Sequence, residues 1–332
     1  MTDKVIEKYK NMLLDLPICK GVESLQNMNL KVGDPQQKNN IVVFFLSSHK
    51  KKDDNSYLSF SQALDQKLVN ISEVNEKPSL SKLKITNTSN KTLLILGGET
   101  IIGHKIRQNR IVASTTLIPA NTTVLITVNC GERYRWSWMV NENINTSESL
   151  YFSRRNLGKQ FKIWDEIKYV SNQFRVKNFT SSVEEIYKKR KYHLHEIENF
   201  FLPQEHDIGV VIGVNNHLKS LDIFSSNLML KIYLKKIIKS VAIKSFKKIN
   251  HKSYLKTKDV HKFLRQVIES DKSEFKVDKG TLGKIKKINF SAEGESINGK
   301  ILYTDNNEVI HGSFFSREPM VYGTQKDYIN AA

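Results

Sequence analysis

The sequence contains little cysteine, proline or glycine. Its 332 residues include two cysteines, six prolines and 15 glycines, whereas 39% of the residues are hydrophobic. This composition excludes a disulfide-stabilised scaffold and a collagen-like or low-complexity chain, and it argues against complete disorder. Cys19 and Cys130 are also too few for a tetrahedral zinc site. We therefore expect the chain to fold around a buried core, as two domains or as one large domain with an insertion.

Long apolar runs are missing as well. No stretch approaches the roughly 18 to 20 apolar residues that span a bilayer, and charges interrupt the start of the chain where a secretory signal would be apolar. We therefore expect a cytoplasmic protein with reduced thiols and no membrane partner. The sequence indicates no metal site, and it leaves the cofactor and the oligomeric state open.

The charge is strongly basic, but arginine contributes little of it. The formal net charge is +18, and ten of the 52 basic residues are arginines. A basic surface attracts phosphate backbones, so nucleic acid is a candidate partner. Abundant lysine, asparagine and isoleucine are also typical of an A/T-rich coding sequence, which weakens that interpretation. Arginine offers a planar fork for phosphate or carboxylate. Four arginines lie in one short stretch: Arg107, Arg110, Arg133 and Arg135.

The apolar pattern predicts an α+β protein. Residues 1–38 begin with an amphipathic helix and pass into a polar connection. Residues 39–140 contain short strand patterns, which predict a β-rich sandwich or barrel-like domain. Residues 141–203 show a helical period and predict a helical connector, and residues 204–316 predict a C-terminal α+β domain. Residues 317–332 are typical of a tail.

Local signals predict particular elements within these segments. The run from Ile41 to Leu46 is apolar on both faces, as in a buried central strand. The turn residues 88–91 separate two strand patterns and predict a hairpin, and the pair at 215–216 predicts a second one. Ser182 and Ser226 each precede a helical period, so they predict helix N-caps.

A polar stretch between two apolar strand patterns is the first candidate for a functional site. The pair Gly97-Gly98 ends a strand and permits a bend, from which Glu99 would project. Two cations and two amides follow, and such a set suits phosphate, carboxylate or ribose hydroxyls. They are Lys105, Gln108, Asn109 and Arg110. An ordinary exposed loop is the alternative interpretation.

Cys130 ends the next strand pattern. Strand alternation points its side chain into the core, where a thiol is usually inert. A nucleophilic role for Cys130 would need a nearby base such as His104 or His311. His311 itself is expected to pack in the core, on one strand face with Val309 and Phe315.

Three residues beyond Cys130 complete the candidate site. Glu132 is an acid/base candidate if apolar surroundings raise its pKa, or else a structural partner for an arginine. Arg135 is suited to an anionic group. Trp136 is suited to stacking on a base or sugar, although a core position is the alternative.

The order and spacing of these residues resemble a known family. Gly98-Glu99, Gln108-Asn109-Arg110, Ile118-Pro119-Ala120 and the run from Cys130 to Trp136 resemble the ARG and rhodanese-phosphatase-superfamily-associated protein domain family, formerly a domain of unknown function. The resemblance extends over most of the chain. One departure is that Ile106 and Arg107 interrupt the family's Lys-Gln-Asn-Arg run after Lys105.

The resemblance implies a nucleotide-derived or ADP-ribose-related ligand, because the family is associated with ADP-ribosyl-glycohydrolase-type and phosphatase-type proteins. It also implies that the matching positions of this chain carry the function. These positions are Glu99, Gln108, Asn109, Arg110, Cys130, Glu132, Arg135 and Trp136.

Three functions remain open at this point. The leading hypothesis is a protein that binds a small phosphorylated or ribose-containing ligand through Arg110 and Arg135. In its catalytic version Glu99 and Glu132 also process the ligand as acid and base. The first alternative is a nucleic-acid-binding accessory protein that uses a lysine-rich helix at residues 226–248. The second is a noncatalytic scaffold, in which the same candidate residues form an internal ion-pair network.

Overall fold

Six helices and seventeen strands make up the described part of the chain. The computed structural model describes residues 23–49, 57–74, 79, 81–102, 108–133, 145–147, 154–156, 159–179, 181–243, 255–292 and 295–317. The helices are α1 (Glu23–Gln26), α2 (Phe60–Asp65), α3 (Gln160–Gln173), α4 (Val183–Glu198), α5 (Asn227–Ala242) and α6 (Thr257–Ile268). The predicted N-terminal amphipathic helix and the predicted tail after Arg317 lie outside these residues.

The strands outnumber the helices, and the predicted α+β class is confirmed. They are β1 (Lys31–Lys38), β2 (Ile41–Ser47), β3 (Tyr57–Ser59), β4 (Val69–Ser72), β5 (Lys82–Asn87), β6 (Thr92–Ile95), β7 (Thr100–Ile102), β8 (Arg110–Val112), β9 (Thr116–Ile118), β10 (Thr122–Cys130), β11 (Asn145–Ser147), β12 (Asp207–Val214), β13 (His217–Phe224), β14 (Asp271–Phe275), β15 (Lys284–Ala292), β16 (Glu295–Tyr303) and β17 (Val309–Arg317).

These strands form three sheets. The large sheet is antiparallel and has the order β1-β2-β12-β13-β17-β16-β15-β14. A six-stranded sheet has the order β11-β7-β8-β10-β5-β4, and a three-stranded sheet has the order β3-β6-β9. The two smaller sheets share one apolar core, to which Ile85 and Ile126 contribute from the first and Leu93 and Ile118 from the second. We call these two sheets and their shared core the sandwich.

The large sheet is covered on both faces, which explains the uninterrupted apolar run in β2. Val43 and Phe45 belong to the core beneath α3, α4 and α5, whereas Phe44 and Leu46 belong to the core beneath α6. The prediction of a buried strand at Ile41 to Leu46 is therefore confirmed. Because β2 pairs with β12, this strand joins the sheet of residues 207–317. The division into domains stays a prediction, and the sheets cross its boundary at residue 140.

The hairpin predicted at residues 88–91 is wrong. The strand before it, β5, pairs with β4 and β10, and the strand after it, β6, pairs with β3 and β9. The cause is the buried side chain of Asn87, whose Nδ2 donates to the carbonyl oxygens of Lys91 at 2.8 Å and Pro119 at 2.9 Å. These bonds fix a corner at which the chain crosses from one sheet to the other.

The other local predictions are confirmed. Asn215 and Asn216 have φ angles of 51° and 65° and connect β12 to β13, as a tight hairpin turn requires. The Ser182 side chain accepts a hydrogen bond from the backbone N–H of Glu184, and Ser226 accepts one from Met229, so both serines cap helices. No helix in the described ranges is long and apolar enough to cross a membrane.

Candidate functional site

The predicted site residues that the structure describes are all buried. Gln108, Asn109 and Arg110 have no measurable exposure, and Cys130, Glu132 and Glu99 are at most 4% exposed. Lys105, Arg135 and Trp136 lie outside the described residues. The described candidates form two separate groups, one around Arg110 and one around Glu99.

Arg110 is the centre of the first group. Its backbone pairs with Cys130 across β8 and β10, so the two stretches of the predicted site do meet. Its Nη1 donates to Gln108 Oε1 at 2.8 Å, and its Nη2 donates to Glu73 Oε1 at 3.2 Å. Glu73, which follows β4, was missed because no motif surrounds it in the sequence. Because this ion pair is buried, the guanidinium group of Arg110 is bound by partners within the protein.

Glu132, which follows Gly131, folds back onto the same group. Its Oε2 accepts a hydrogen bond from the backbone N–H of Asn109 at 3.1 Å, and Gly131 N donates to the Asn109 carbonyl oxygen at 2.7 Å. The Asn109 side chain donates to Ser182 Oγ, the cap of α4, at 3.3 Å. These contacts use Glu132 and Asn109 to join the sandwich to the helical segment.

The environment of Cys130 favours a packed thiol over a nucleophile. Burial raises the pKa of this thiol, and the Arg110 guanidinium offsets the effect only in part. The backbone N–H and carbonyl oxygen of Cys130 both bond to the side chain of Gln160 at the start of α3. Cys130 therefore anchors the helix, and its sulfur stays in the neutral, weakly nucleophilic form.

Glu99 lies in the second group, against α5. Its Oε1 accepts a hydrogen bond from Lys236 Nζ at 2.6 Å, and its Oε2 accepts one from the backbone N–H of Leu96 at 3.0 Å. Lys236 also donates to Ser61 Oγ at 2.9 Å. The carboxylate is thus buried and bonded to partners within the protein.

A cavity of about 320 Å³ lies between the sandwich and the large sheet. Its walls come from the connection between β8 and β9, from Thr127 of β10, from the segment before β15, and from β15 and β16. Four lysines line it, and we call it the lysine-lined cavity: Lys159, Lys276, Lys287 and Lys300. Hydroxyl groups line it too, from Ser114, Thr115, Thr116, Thr127 and Thr281. The residues at 113–116 that border this cavity follow the predicted polar stretch, and none of the described candidate site residues is among its lining residues.

Lys300 is a partly buried lysine in the wall of the cavity. Its Nζ donates to Ser114 Oγ at 2.7 Å and to the Ala113 carbonyl oxygen at 3.1 Å. Burial and, second to it, the charge of neighbouring Lys287 together lower the pKa of Lys300 to about 8, against the opposing effect of Asp278. The amine is therefore mostly charged at neutral pH and close to titration above it.

Asp278 is the acid that lines the cavity. It accepts hydrogen bonds from the backbone N–H and the hydroxyl of Thr127, both at 2.7 Å, and from Lys82 Nζ at 2.5 Å. Lys82 is not among the cavity lysines, and its charge balances this carboxylate. Among the described lining residues, lysines therefore outnumber acids by four to one, a composition that suits an anionic ligand.

A buried polar array stands behind one wall of the cavity. Thr115, which lines the cavity, lies 2.9 Å from His311 through its Oγ1 and the Nδ1 of the ring, and His311 Nε2 lies 3.3 Å from Asp222 Oδ1. Arg154 forms an ion pair with Asp222. The expectation that His311 packs in the core is met by its ring contact with Phe224, with centroids 4.7 Å apart. The sequence offered one signal for this array, an acid in the otherwise apolar run Leu221 to Phe224.

Comparison with known families gives one match. The family described as ARG and Rhodanese-Phosphatase-superfamily-associated Protein domain matches residues 29–315, which is most of the chain. Neither a comparison with curated proteins nor one with solved structures gives a match. The chain therefore belongs to the ARG and Rhodanese-Phosphatase-superfamily-associated Protein domain family.

Proposed function

We propose that this protein binds a small phosphorylated, nucleotide-derived ligand whose anionic group occupies the lysine-lined cavity. The observation that carries the proposal is the charge of the cavity. Among the described residues that line it, four are lysines and one, Asp278, is an acid, which also bonds to Lys82. Lysine ammonium groups and hydroxyls are common ligands for phosphate oxygens.

The size of the cavity narrows the ligand class. A volume of about 320 Å³ lies at the small end of the roughly 300 to 1,000 Å³ typical of ligand pockets. It suits one ribose phosphate better than a whole dinucleotide. We therefore place one phosphorylated ribose of an ADP-ribose-like ligand in the cavity, with the remainder extending outward. The family description, through its association with ARG and rhodanese-phosphatase proteins, favours this ligand class over other phosphates.

This assignment moves the anion away from Arg110, where the sequence placed it. Arg110 is bonded to Gln108 and Glu73 in the core, so we assign it to the support of the site. Arg135 and Trp136 remain predictions as ligand contacts. The scaffold hypothesis describes the Arg110 group well, apart from Gln108 Nε2 and Arg110 Nε, which have no hydrogen-bond partner within the described residues.

The nucleic-acid hypothesis gains less support from the helix that it invoked. On α5, Lys236 and Lys239 form ion pairs with Glu99 and Glu198 at 2.6 and 2.7 Å. Lys235 Nζ donates to the side chain of Asn199 at 2.7 Å. A lysine that is already bonded to a group within the protein contributes less free energy to phosphate binding, because the phosphate must first displace that group.

Isothermal titration calorimetry with ADP-ribose and ribose 5-phosphate tests the proposal. Lys300→Met and Lys287→Met are each expected to weaken binding about tenfold or more, since each removes one charge-assisted contact. Lys284→Met is the matched control, because Lys284 is exposed on β15 and does not line the cavity. Wild-type protein that binds neither compound, or Lys300→Met protein that binds both unchanged, would refute the proposal.

A further inference from the structure

The array behind the cavity wall has the connectivity of a nucleophile and its base. The backbone N–H of Gly97 donates a hydrogen bond to Thr115 Oγ1 at 3.1 Å, so this oxygen already acts as an acceptor there. The hydroxyl proton of Thr115 therefore points to His311 Nδ1, which lies 2.9 Å away. His311, Asp222 and Arg154 are at most 5% exposed, so Thr115 is the member of the array that borders the cavity.

The ionisation of Asp222 fixes the proton on the ring. Burial alone would raise the pKa of Asp222, but the ion pair with Arg154 and the hydrogen bond with His311 outweigh it, and the pKa is lowered. A charged carboxylate only accepts, so His311 Nε2 carries the proton and Nδ1 is the acceptor. Burial lowers the pKa of His311 in spite of Asp222, so the ring is neutral and can take a proton from Thr115.

We propose that Thr115 is the nucleophile of a phosphoester hydrolysis in the lysine-lined cavity, with His311 as its general base and Asp222 as the positioning residue. This inference rests on the proposed function, because the phosphorylated ligand would be the substrate. Cavity lysines would hold the phosphoryl oxygens, and their charge would stabilise the negative charge that shifts to the leaving oxygen.

The reaction balances in two steps. In the first, Thr115 Oγ bonds to phosphorus and the bond from phosphorus to the leaving oxygen breaks, while the hydroxyl proton passes to His311 Nδ1 and the leaving alcohol takes a proton from solvent. In the second, water attacks the phosphothreonine from the opposite side and gives its proton to solvent, and the bond between phosphorus and Thr115 Oγ breaks. His311 returns its proton to Thr115 Oγ, so a phosphate monoester and water give an alcohol and inorganic phosphate.

Matched variants of two threonines test the inference. Thr115→Val keeps the shape of the side chain and removes the hydroxyl, and Thr115→Ser restores a hydroxyl. Thr123→Val is the control, because Thr123 is exposed on β10, lies 2.9 Å from Thr86 through their hydroxyl oxygens and does not line the cavity. Phosphate release from ribose 5-phosphate and p-nitrophenyl phosphate by the full chain is the readout.

We expect Thr115→Val to lose phosphate release about 100-fold or more, the usual scale for a lost general-base pathway, while ADP-ribose binding changes less than about twofold. Thr115→Ser and Thr123→Val should retain release. Asp222→Asn should lower kcat and leave KM unchanged, because it disturbs the ring proton and not the binding of phosphate. Acid-quenched protein should carry a phosphoryl group on Thr115, which is stable in acid.

Three outcomes overturn the inference. They are phosphate release that survives Thr115→Val, an acid-labile phosphoryl group on His311, and wild-type protein that binds ADP-ribose but releases no phosphate from either substrate. The last outcome leaves the binding proposal intact, so the failures of the two proposals are distinguishable. Wild-type protein without binding or turnover defeats both.

Discussion

At the scale of single residues, the charge of Arg110 stabilises the folded protein. Its side chain is fully buried and bonded to Glu73 and Gln108. Removing one partner of a buried pair leaves the other charge without compensation. Arg110→Ala is therefore expected to lower the free energy of unfolding by about 3–5 kcal/mol in urea titrations.

A surface control separates this effect from a general loss of charge. Lys231→Ala removes an exposed lysine from α5 and should change the free energy of unfolding by less than about 0.5 kcal/mol. If Arg110→Ala were as stable as Lys231→Ala, the ion pair of Arg110 with Glu73 would contribute nothing to stability. The guanidinium would then again be a candidate for binding a ligand.

Lys300 predicts a pH dependence of ligand binding. Its pKa is about 8 because burial and the nearby Lys287 disfavour its charge more than Asp278 favours it. Bound anion interacts with the charged form, so affinity should fall as the pH rises through about 8 and Lys300 loses its proton. ADP-ribose suits this titration, because its pyrophosphate keeps a constant charge in that range.

The measurement is the affinity for ADP-ribose between about pH 7 and about pH 9. Wild-type protein should bind more weakly at the upper end, whereas Lys300→Met protein should bind more weakly throughout and change little with pH. Equal slopes of ADP-ribose affinity against pH for the two proteins would contradict this role of Lys300.

At the scale of elements, β16 and β17 approach each other too closely for a side chain at Gly299. A Cβ atom there would lie 2.5 Å from Phe314 Cδ1 and would also overlap the Ser313 carbonyl oxygen. Gly299→Ala should therefore cost about 1–3 kcal/mol of unfolding free energy through overpacking. Gly33→Ala on the exposed β1 is the control, since its Cβ would meet only the Phe45 carbonyl oxygen at 3.4 Å. Equal stability of the two variants would contradict the close approach.

Elements whose signals are local could be predicted from the sequence. The apolar run of β2, the caps Ser182 and Ser226 and the turn at Asn215-Asn216 each depend on neighbours in the chain. The pairing around residues 88–91 could not be predicted, because it depends on bonds from Asn87 to carbonyl groups as distant as that of Pro119. Sequence distance, and not element type, separates the two cases.

Strand faces were predictable only where the strand is regular. Alternation placed His311 with Val309 and Phe315, but a register shift where β16 pairs with the start of β17 interrupts the alternation. Phe315 lies in the core beneath α3, α4 and α5, and Val309 lies in the opposite core beneath α6. The irregularity depends on the neighbouring strand, which the sequence of β17 does not reveal.

At the scale of the whole molecule, the candidate cavity is formed by segments far apart in the chain. Thr115 and Thr127 come from the sandwich, and Lys287 and Lys300 come from the large sheet. Asp278 joins the two through its bonds to Thr127 and Lys82. The polar stretch predicted from the sequence ends at Arg110, before Thr115. The sequence did not single out Lys300 either, because only burial distinguishes that residue from the many lysines of the chain.

The most direct test of ligand binding in the lysine-lined cavity is a crystal structure of the protein with ADP-ribose bound. We expect phosphate oxygens within hydrogen-bond distance, about 2.7–3.2 Å, of Lys300 Nζ or Lys287 Nζ in this cavity. Clear density for the ligand against Arg110 and Glu132, with the cavity unoccupied, would contradict it.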